Sequence, residues 1–360
     1  MTQELTNLFN GLNLLCENNE AFSFSEQDII VNEKTYKVRS FTYRLASWSE
    51  FNQPYGSDSR GTAFYQDSTG EWNLFCRAYQ KFHNLGEGIS IDKYIKKHQP
   101  IASFEKLDGS LILVGRIDGK LITKSKTSVT SGEALKAQQI LDNNILLTAH
   151  LNSLIDNDFT PVFELVGPDN IIVLKYEEND IILLGIVDNI TAKVSTYEEG
   201  ELEFVKVPKQ FKYTWEELFY IQDNSETDIE GFVVLTDAGF VKVKGKSYVA
   251  LHTIRTNLND LKSLATLIIS DSLDDLIPFH FDSQESLDYI ETTRLEISSK
   301  YNHLLAVLDE VRSNDLSLDR RDFAMKHQKE NKPFFPILMQ MYLGKDIYVN
   351  QFFINQKLYI

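Results

Sequence analysis

Lys106 stands two residues before Asp108-Gly109 and directly ahead of an apolar run, in "SFEKLDGSLILVGRIDGK" (103–120). An ordinary lysine, with a pKa of about 10.4, is protonated at neutral pH and has no lone pair to offer. Nucleophilic work therefore requires neighbours that disfavour its ammonium form. The chain supplies candidates at strand spacing. In "VKVKGK" (241–246) Lys242 and Lys244 alternate with Val241 and Val243, which puts both cations on one face of a strand and both valines on the other. Two carboxylates join them: Glu164 inside the apolar "VFELVG" (162–167), where it needs a hydrogen-bonding partner, and Glu230 at the start of "EGFVV" (230–234). Each has a structural reading when taken singly. Lysines guard edge strands, Glu164 could pair with an arginine such as Arg60, and Lys-x-Asp-Gly arises by chance in roughly one chain in ten of this length.

The elements that must position these residues read as strands. "IIVNEKTYKVRSFTY" (29–43) places β-branched and aromatic residues around an Asn-Glu-Lys turn. Strand-like runs recur at Gly61–Phe64, Trp72–Cys76, Leu111–Gly115, Leu121–Ser125, Pro161–Val166, Ile181–Val187, Gly231–Leu235 and Phe240–Lys244. Two pairs carry hairpin turns, "IDG" (117–119) and "TDAG" (236–239), each with a glycine able to take positive φ. By the same alternation Lys124 and Lys126 share a strand face. Helical spacing appears at Leu5, Leu8, Phe9, Leu12 and Leu15, and again after about residue 250, at Leu287, Ile290, Ile297, Tyr301, Leu304, Leu308 and Val311 and over Phe335–Leu343. The pattern predicts an antiparallel β-rich domain followed by a separate helical one, with a boundary near 250–260.

Composition narrows the class. At 360 residues with 42% hydrophobic content the chain fills real cores, and its apolar runs are too short to cross a bilayer. The opening Met-Thr-Gln-Glu lacks a secretory signal pattern, so a cytoplasmic protein is expected. Cys16 and Cys76 have no metal-ligand spacing, which argues against a disulfide framework or a zinc site. The net charge of −16 argues against a protein that coats nucleic acid. Between Arg77 and Lys126, however, ten Lys/Arg face five acids, as in a basic pocket that grips a phosphate-bearing substrate.

Between about residues 35 and 248 an ordered set of motifs appears: "SRG" (59–61), "KFHN" (81–84), "KLDGS" (106–110), "KSKTS" (124–128), "FELVGPDNIIVL" (163–174), "IEGFVV" (229–234) and "VKVKGKSY" (241–248). This set resembles the covalent nucleotidyltransferase superfamily of polynucleotide ligases and mRNA capping enzymes. It is most similar to the ATP-dependent RNA ligases of the T-even bacteriophage type, the first phage RNA ligase family, which reseal cleaved tRNA. The resemblance implies an α+β fold: a β-rich adenylyltransferase domain of the ligase type, related to ATP-grasp, over 1–252, and a helical domain that helps select tRNA over 253–360. It also implies a monomer in the cytoplasm of an infected bacterial host, acting on RNA ends such as a tRNA anticodon loop beside a polynucleotide kinase-phosphatase.

The resemblance further implies roles. Lys106 would be the nucleophile that attacks the α-phosphorus of ATP, expels pyrophosphate and becomes lysyl-AMP. Glu105, Asp108 and Gly109 would shape the nucleotide site around it. Arg60 and Lys81 would bind ribose or the outer phosphates, Lys126 would line the nucleotide strand, and Glu164 would take the ribose hydroxyls. Glu230 would help hold Mg2+ or Mn2+, with Asp274 and Asp275 as further metal candidates, although these two acids also suit an N-cap. Lys242 and Lys244 would contact the α-phosphate and leaving group. His83 departs from the family, which has a phenylalanine there, and around residues 39–48 the match leaves open whether Phe41 or Tyr43 meets the nucleotide. DNA ligases and GTP-dependent capping enzymes of the superfamily carry a β-barrel after the final Lys-x-Lys. Alternatives are such an enzyme, or a non-catalytic RNA-binding adaptor.

Overall fold

The computed structural model describes residues 1–170, 174, 176–224, 229–245, 261–273 and 284–360, the side chains of the last segment from 288 onward. The chain divides into two units, Met1–His252 and Thr253–Ile360.

The first unit opens with helix α1 (Gln3–Asn18), capped by the Thr2 hydroxyl, which accepts from the Leu5 amide. Its apolar stripe, Leu5, Leu8 and Leu12, packs on Phe41 and Phe64 of the first sheet. That sheet is an antiparallel meander of β1 (Phe22–Val31), β2 (Lys34–Tyr43), β3 (Ala63–Gln66) and β4 (Trp72–Cys76). Its first turn is tight because Asn32 and Glu33 both take positive φ, 49° and 65°. The third sheet holds β5 (Pro100–Glu105), and the second holds β6 (Ser110–Ile117), β7 (Lys120–Ser125), β8 (Phe159–Val166), β9 (Asp180–Asp188) and β10 (Val194–Ser195) in the order β10-β9-β8-β6-β7. The third sheet is completed by β11 (Gln210–Phe211), β12 (Gly231–Thr236) and β13 (Gly239–Lys244), in the order β11-β5-β12-β13. Short helices α2 (Trp48–Phe51) and α3 (Ile91–Ile95) lie in the early connections, followed by α4 (Gly132–Asp142), α5 (Ile145–Asp156) and α6 (Trp215–Asn224).

Three apolar layers hold these sheets. One face of the second sheet (Leu113, Ile117, Val162, Val187) packs on the first sheet through Val38, Ala63, Phe75 and Cys76. Its other face (Ile112, Val114, Phe163, Leu183) buries Ala137 and Leu141 of α4 and Leu147 and Leu151 of α5. The third sheet covers Trp215 and Leu218 of α6 with Phe232, Val234, Val241 and Val243. The chain passes from the third sheet to the second between β5 and β6, and that crossing is Lys106-Leu107-Asp108-Gly109.

The sequence pattern placed β4 at its observed limits and the other named runs within a few residues, but β5 carried no strand signal. Lys126 falls beyond β7, which ends at Ser125, so it does not share a strand face with Lys124. The described part of the second unit contains α7 (Leu261–Ile269), α8 (Gln284–Asn314), α9 (Arg320–Glu330), α10 (Phe335–Tyr342) and α11 (Val349–Asn355), and no strand. Ile290, Ile297, Tyr301, Leu304, Leu308 and Val311 form the buried stripe of α8 that the spacing predicts.

Candidate active site

The crossing loop starts out tied to the third sheet. The Lys106 amide donates to the Gly231 carbonyl at 2.9 Å, and the Glu105 amide donates to Lys209 at 2.9 Å. The Lys106 ammonium lies 2.7 Å from Glu230 Oε1, and the Lys244 ammonium lies 2.9 Å from the same oxygen. Gly231 sits opposite Lys244 in the β12–β13 register. At φ 140°, a Cβ on Gly231 would fall 2.2 Å from the Val243 carbonyl, so glycine alone lets the start of β12, next to Glu230, run this close to β13. Burial pushes the Glu230 carboxyl up, but Lys106 and Lys244 outweigh it and hold the group below the usual carboxylate range. Glu230 is 3% exposed, and its second oxygen, Oε2, is buried with no hydrogen-bond partner.

Asp108 is buried and works inward. Its Oδ2 accepts from the Leu174 amide at 2.6 Å, and its own amide donates to the Tyr176 hydroxyl at 3.0 Å. Gly109 passes so close to β8 that a Cβ would meet the Leu165 carbonyl at 2.3 Å and the Glu164 Cγ at 3.0 Å. One pair further on, Leu111 faces Glu164 across β6 and β8. Glu164 keeps an exposed edge, yet burial raises its carboxyl to about 7. Lys106 and Arg60 pull that value down, while Glu230 and Asp108 add to the rise, so these five groups share one electrostatic neighbourhood.

The remaining cations are presented on aromatic faces. The Lys126 ammonium sits 3.7 Å from the Tyr43 ring centroid, and Lys81 lies 5.2 Å from the same ring and 4.8 Å from Phe51. Phe82 receives Arg60 at 5.2 Å and Lys242 at 5.4 Å. The "KFHN" segment is stitched along β13: the Lys242 amide donates to the His83 carbonyl at 2.9 Å, and the Leu85 amide donates back to Lys242 at 2.8 Å. The Lys81 amide donates to Ser57 at 2.8 Å, which ties the same segment to the turn that ends in Arg60. His83 Nδ1 pairs with Glu87 Oε1 at 2.6 Å. Burial would raise Glu87, but the His83 contact outweighs it and the carboxyl falls to about 2. Phe41 lies in the apolar core against Phe9 and Phe64, and Tyr43 is the ring that meets the lysines. Asp274 and Asp275 lie outside the described residues.

Two positioning groups escaped the sequence reading. Lys124 is fully buried, and its ammonium donates to the carbonyls of Gly61, Ser125 and Lys126 at 2.8–2.9 Å. It fastens the backbone next to Arg60 to the backbone of Lys126; burial lowers its pKa to about 8. Beneath the same turn, Arg77 forks onto Asp58 Oδ1 at 2.7 and 3.1 Å and donates to Asn189 and Ile190, each at 2.9 Å. A lysine at a strand position reads as exposed, so only its three waiting carbonyls reveal Lys124.

Lys124→Met leaves those carbonyls unsatisfied. A loss of about 1–3 kcal/mol for a deserted buried acceptor is expected in urea denaturation, with Arg60 and Lys126 no longer held together. For Glu164 the sign follows from its raised pKa. Between about 4.5 and about 7 the native state binds more protons than the unfolded chain, so this group's contribution to stability falls as pH rises through that window. Melting curves of wild type and Glu164→Gln should diverge there, with wild type losing ground toward higher pH; parallel curves would contradict the assignment.

The RNA ligase family profile matches residues 58–249. A Thermovibrio ammonificans protein provisionally named an RNA ligase is 28% identical over 276 residues, covering 73% of this chain and 71% of that protein. The RNA ligase of Rhodothermus phage RM378 is 25% identical over 309 residues, covering 66% of this chain and 68% of the phage protein. Among solved structures, the Naegleria gruberi RNA ligase with pyrophosphate is similar at a TM-score of 0.39 and 17% identity, and the match spans 49% of this chain and 58% of that one. The profile match covers more than half of the chain and contains Arg60, Lys81, Lys106, Glu164, Glu230, Lys242 and Lys244: this protein belongs to the RNA ligase family.

Proposed function

We propose that the protein is an ATP-dependent RNA ligase that joins a 5′-phosphate to a 3′-hydroxyl through lysyl-AMP and RNA-adenylate intermediates. The observation that carries this reading is the placement of Lys106 against Glu230 and Lys244, at a crossing loop between sheets that also bear Glu164 and Lys242. In the first step Lys106 Nζ, having given up its proton, forms a bond to the α-phosphorus of ATP. The bond from that phosphorus to the β-phosphate bridging oxygen breaks, and pyrophosphate leaves. Positioning and charge neutralisation dominate such a transfer. Lys242 and Lys244 supply positive charge on the β13 face beside the nucleophile. Arg60, Lys81 and Lys126 serve the ribose and outer phosphates, and Glu164 accepts from a ribose hydroxyl. Glu105, Asp108 and Gly109 fix the loop. AMP then passes to an RNA 5′-phosphate, and a 3′-hydroxyl displaces it to close the strand.

A divalent cation, Mg2+ or Mn2+, fits the buried, unpartnered Oε2 of Glu230. Among the described residues no group of three or more His, Cys, Asp or Glu is placed to hold a metal, as suits an ion that keeps waters and phosphate oxygens in its shell. When bound it would neutralise charge developing on the phosphates. The helices of the second unit, with no strand among its described residues, support the RNA ligase reading over a DNA ligase or capping enzyme. The substrate we favour is tRNA cleaved in its anticodon loop, where unpaired ends are accessible and a 2′-hydroxyl marks RNA. Ends that lack a 5′-phosphate would need prior work by a kinase-phosphatase. No helix among the described residues is long and apolar enough to cross a membrane, which is consistent with action in the cytoplasm.

Sealing assays with a 5′-phosphorylated RNA stem-loop carrying a loop break test the reading. Ligation with ATP is expected, with losses of about 100-fold or more in Glu230→Ala and Lys244→Ala. Use of GTP in place of ATP, or sealing of DNA ends with RNA ends left open, would overturn it.

A further inference from the structure

Beside Phe82 the first unit carries a cavity of about 630 Å3, a volume typical of sites for small organic ligands. Its wall includes the aromatic residues Trp48, Tyr79, Phe82, Tyr94 and Phe240 together with Lys81 and Lys193. Tyr79 and Phe240 lie parallel, with planes 5° apart and centroids at 6.2 Å, and Phe82 leans on Phe240 at 5.9 Å. At the rim Trp48 is 37% exposed and Ile89 45% exposed. The two acids on the wall are each engaged by a histidine, Glu87 by His83 at 2.6 Å and Asp237 by His98 at 2.9 Å.

This is poor chemistry for a polyphosphate, which calls for clustered cations and backbone amides. It is suited to a flat, π-faced group that carries one phosphodiester. The cavity also shares a wall with the active site: Phe82 lines it and at the same time receives Arg60 and Lys242 within 5.4 Å of its ring centroid. A ligand stacked in the cavity is therefore one ring away from two of the cations assigned to ATP.

We propose that this cavity holds an unpaired nucleotide at an RNA end, its base stacked among Phe240, Phe82 and Trp48 and its phosphodiester facing Lys193. The proposal rests on the RNA ligase reading and adds the place where the polynucleotide is gripped. Stacking on aromatic rings is sequence-tolerant because every base has a π-face, so the site would select an unpaired end and leave base identity free.

The test uses the full chain and the variants Phe240→Leu, Trp48→Leu and Lys193→Glu, none of which touches the lysine chemistry. Lys193 and Trp48 are exposed enough that their replacement leaves the core intact, and melting curves check Phe240→Leu. Two rates are measured: self-adenylylation from ATP without RNA, and sealing as a function of RNA concentration. The expected result is unchanged self-adenylylation with the KM for a single-stranded oligoribonucleotide raised roughly 5- to 100-fold, the loss of one stacked base. Running the titration separately for the 5′-phosphate strand and the 3′-hydroxyl strand assigns the cavity to one end, and a rise for either supports the proposal. An unchanged RNA KM in all three variants would overturn it, as would an equal fall in both rates. Failure of the wild type to adenylylate itself would instead remove the underlying functional reading.

Discussion

Two ammonium groups share one carboxylate oxygen where the second and third sheets of the first unit meet. Lys106 reaches Glu230 from the crossing loop and Lys244 reaches it from the end of β13, so a single buried acid fixes Lys106 relative to a second cation. Deserting one member of such a buried set costs about 3–5 kcal/mol, because a charge is left without compensation. The surrounding backbone holds the set together. Gly231 lets β12 run close against Val243 and Lys244 of β13, the Lys106 amide is pinned to Gly231, and Gly109 lets the loop pass against β8 beside Glu164.

The other cations are held by different means. Arg60 and Lys242 rest on Phe82, and Lys81 and Lys126 on Tyr43, so aromatic faces orient them at little desolvation cost. Their backbones are fixed from below by buried groups. Lys124 joins the Gly61 turn to Lys126, and Arg77 with Asp58 anchors the turn that precedes Arg60. Charge at the site is thus built in two tiers, a buried tier that sets loop positions and a half-buried tier that faces the cleft.

Much of this was legible in the chain. Turn residues marked both hairpins, alternation separated Lys242 and Lys244 from Val241 and Val243, and the helical stripe of α8 followed from spacing alone. What escaped has a physical reason. In "PIASFE", β5 exposes Ile101 and buries Ser103, so its strand identity comes from pairing with β11 and β12 and leaves no hydrophobic period to read. Lys124 looked like a surface lysine because its burial depends on three carbonyls contributed by segments far apart in sequence or by its own turn. The same limit applied to Phe41 and Tyr43, two residues apart on one strand: both are buried, Phe41 with Leu5, Leu8 and Leu12 of α1 and Tyr43 with Leu15, Phe22 and Phe51, and only the ring contacts show that Tyr43 is the one that meets the lysines.

The central claim is that Lys106 is the residue that carries AMP. Intact-protein mass spectrometry after incubation with ATP and Mg2+, followed by peptide mapping, addresses it directly. The account predicts a mass gain of one AMP that maps to Lys106 and vanishes in Lys106→Ala. An adduct that persists in that variant, or that maps to Lys124, Lys242 or Lys244, would contradict it.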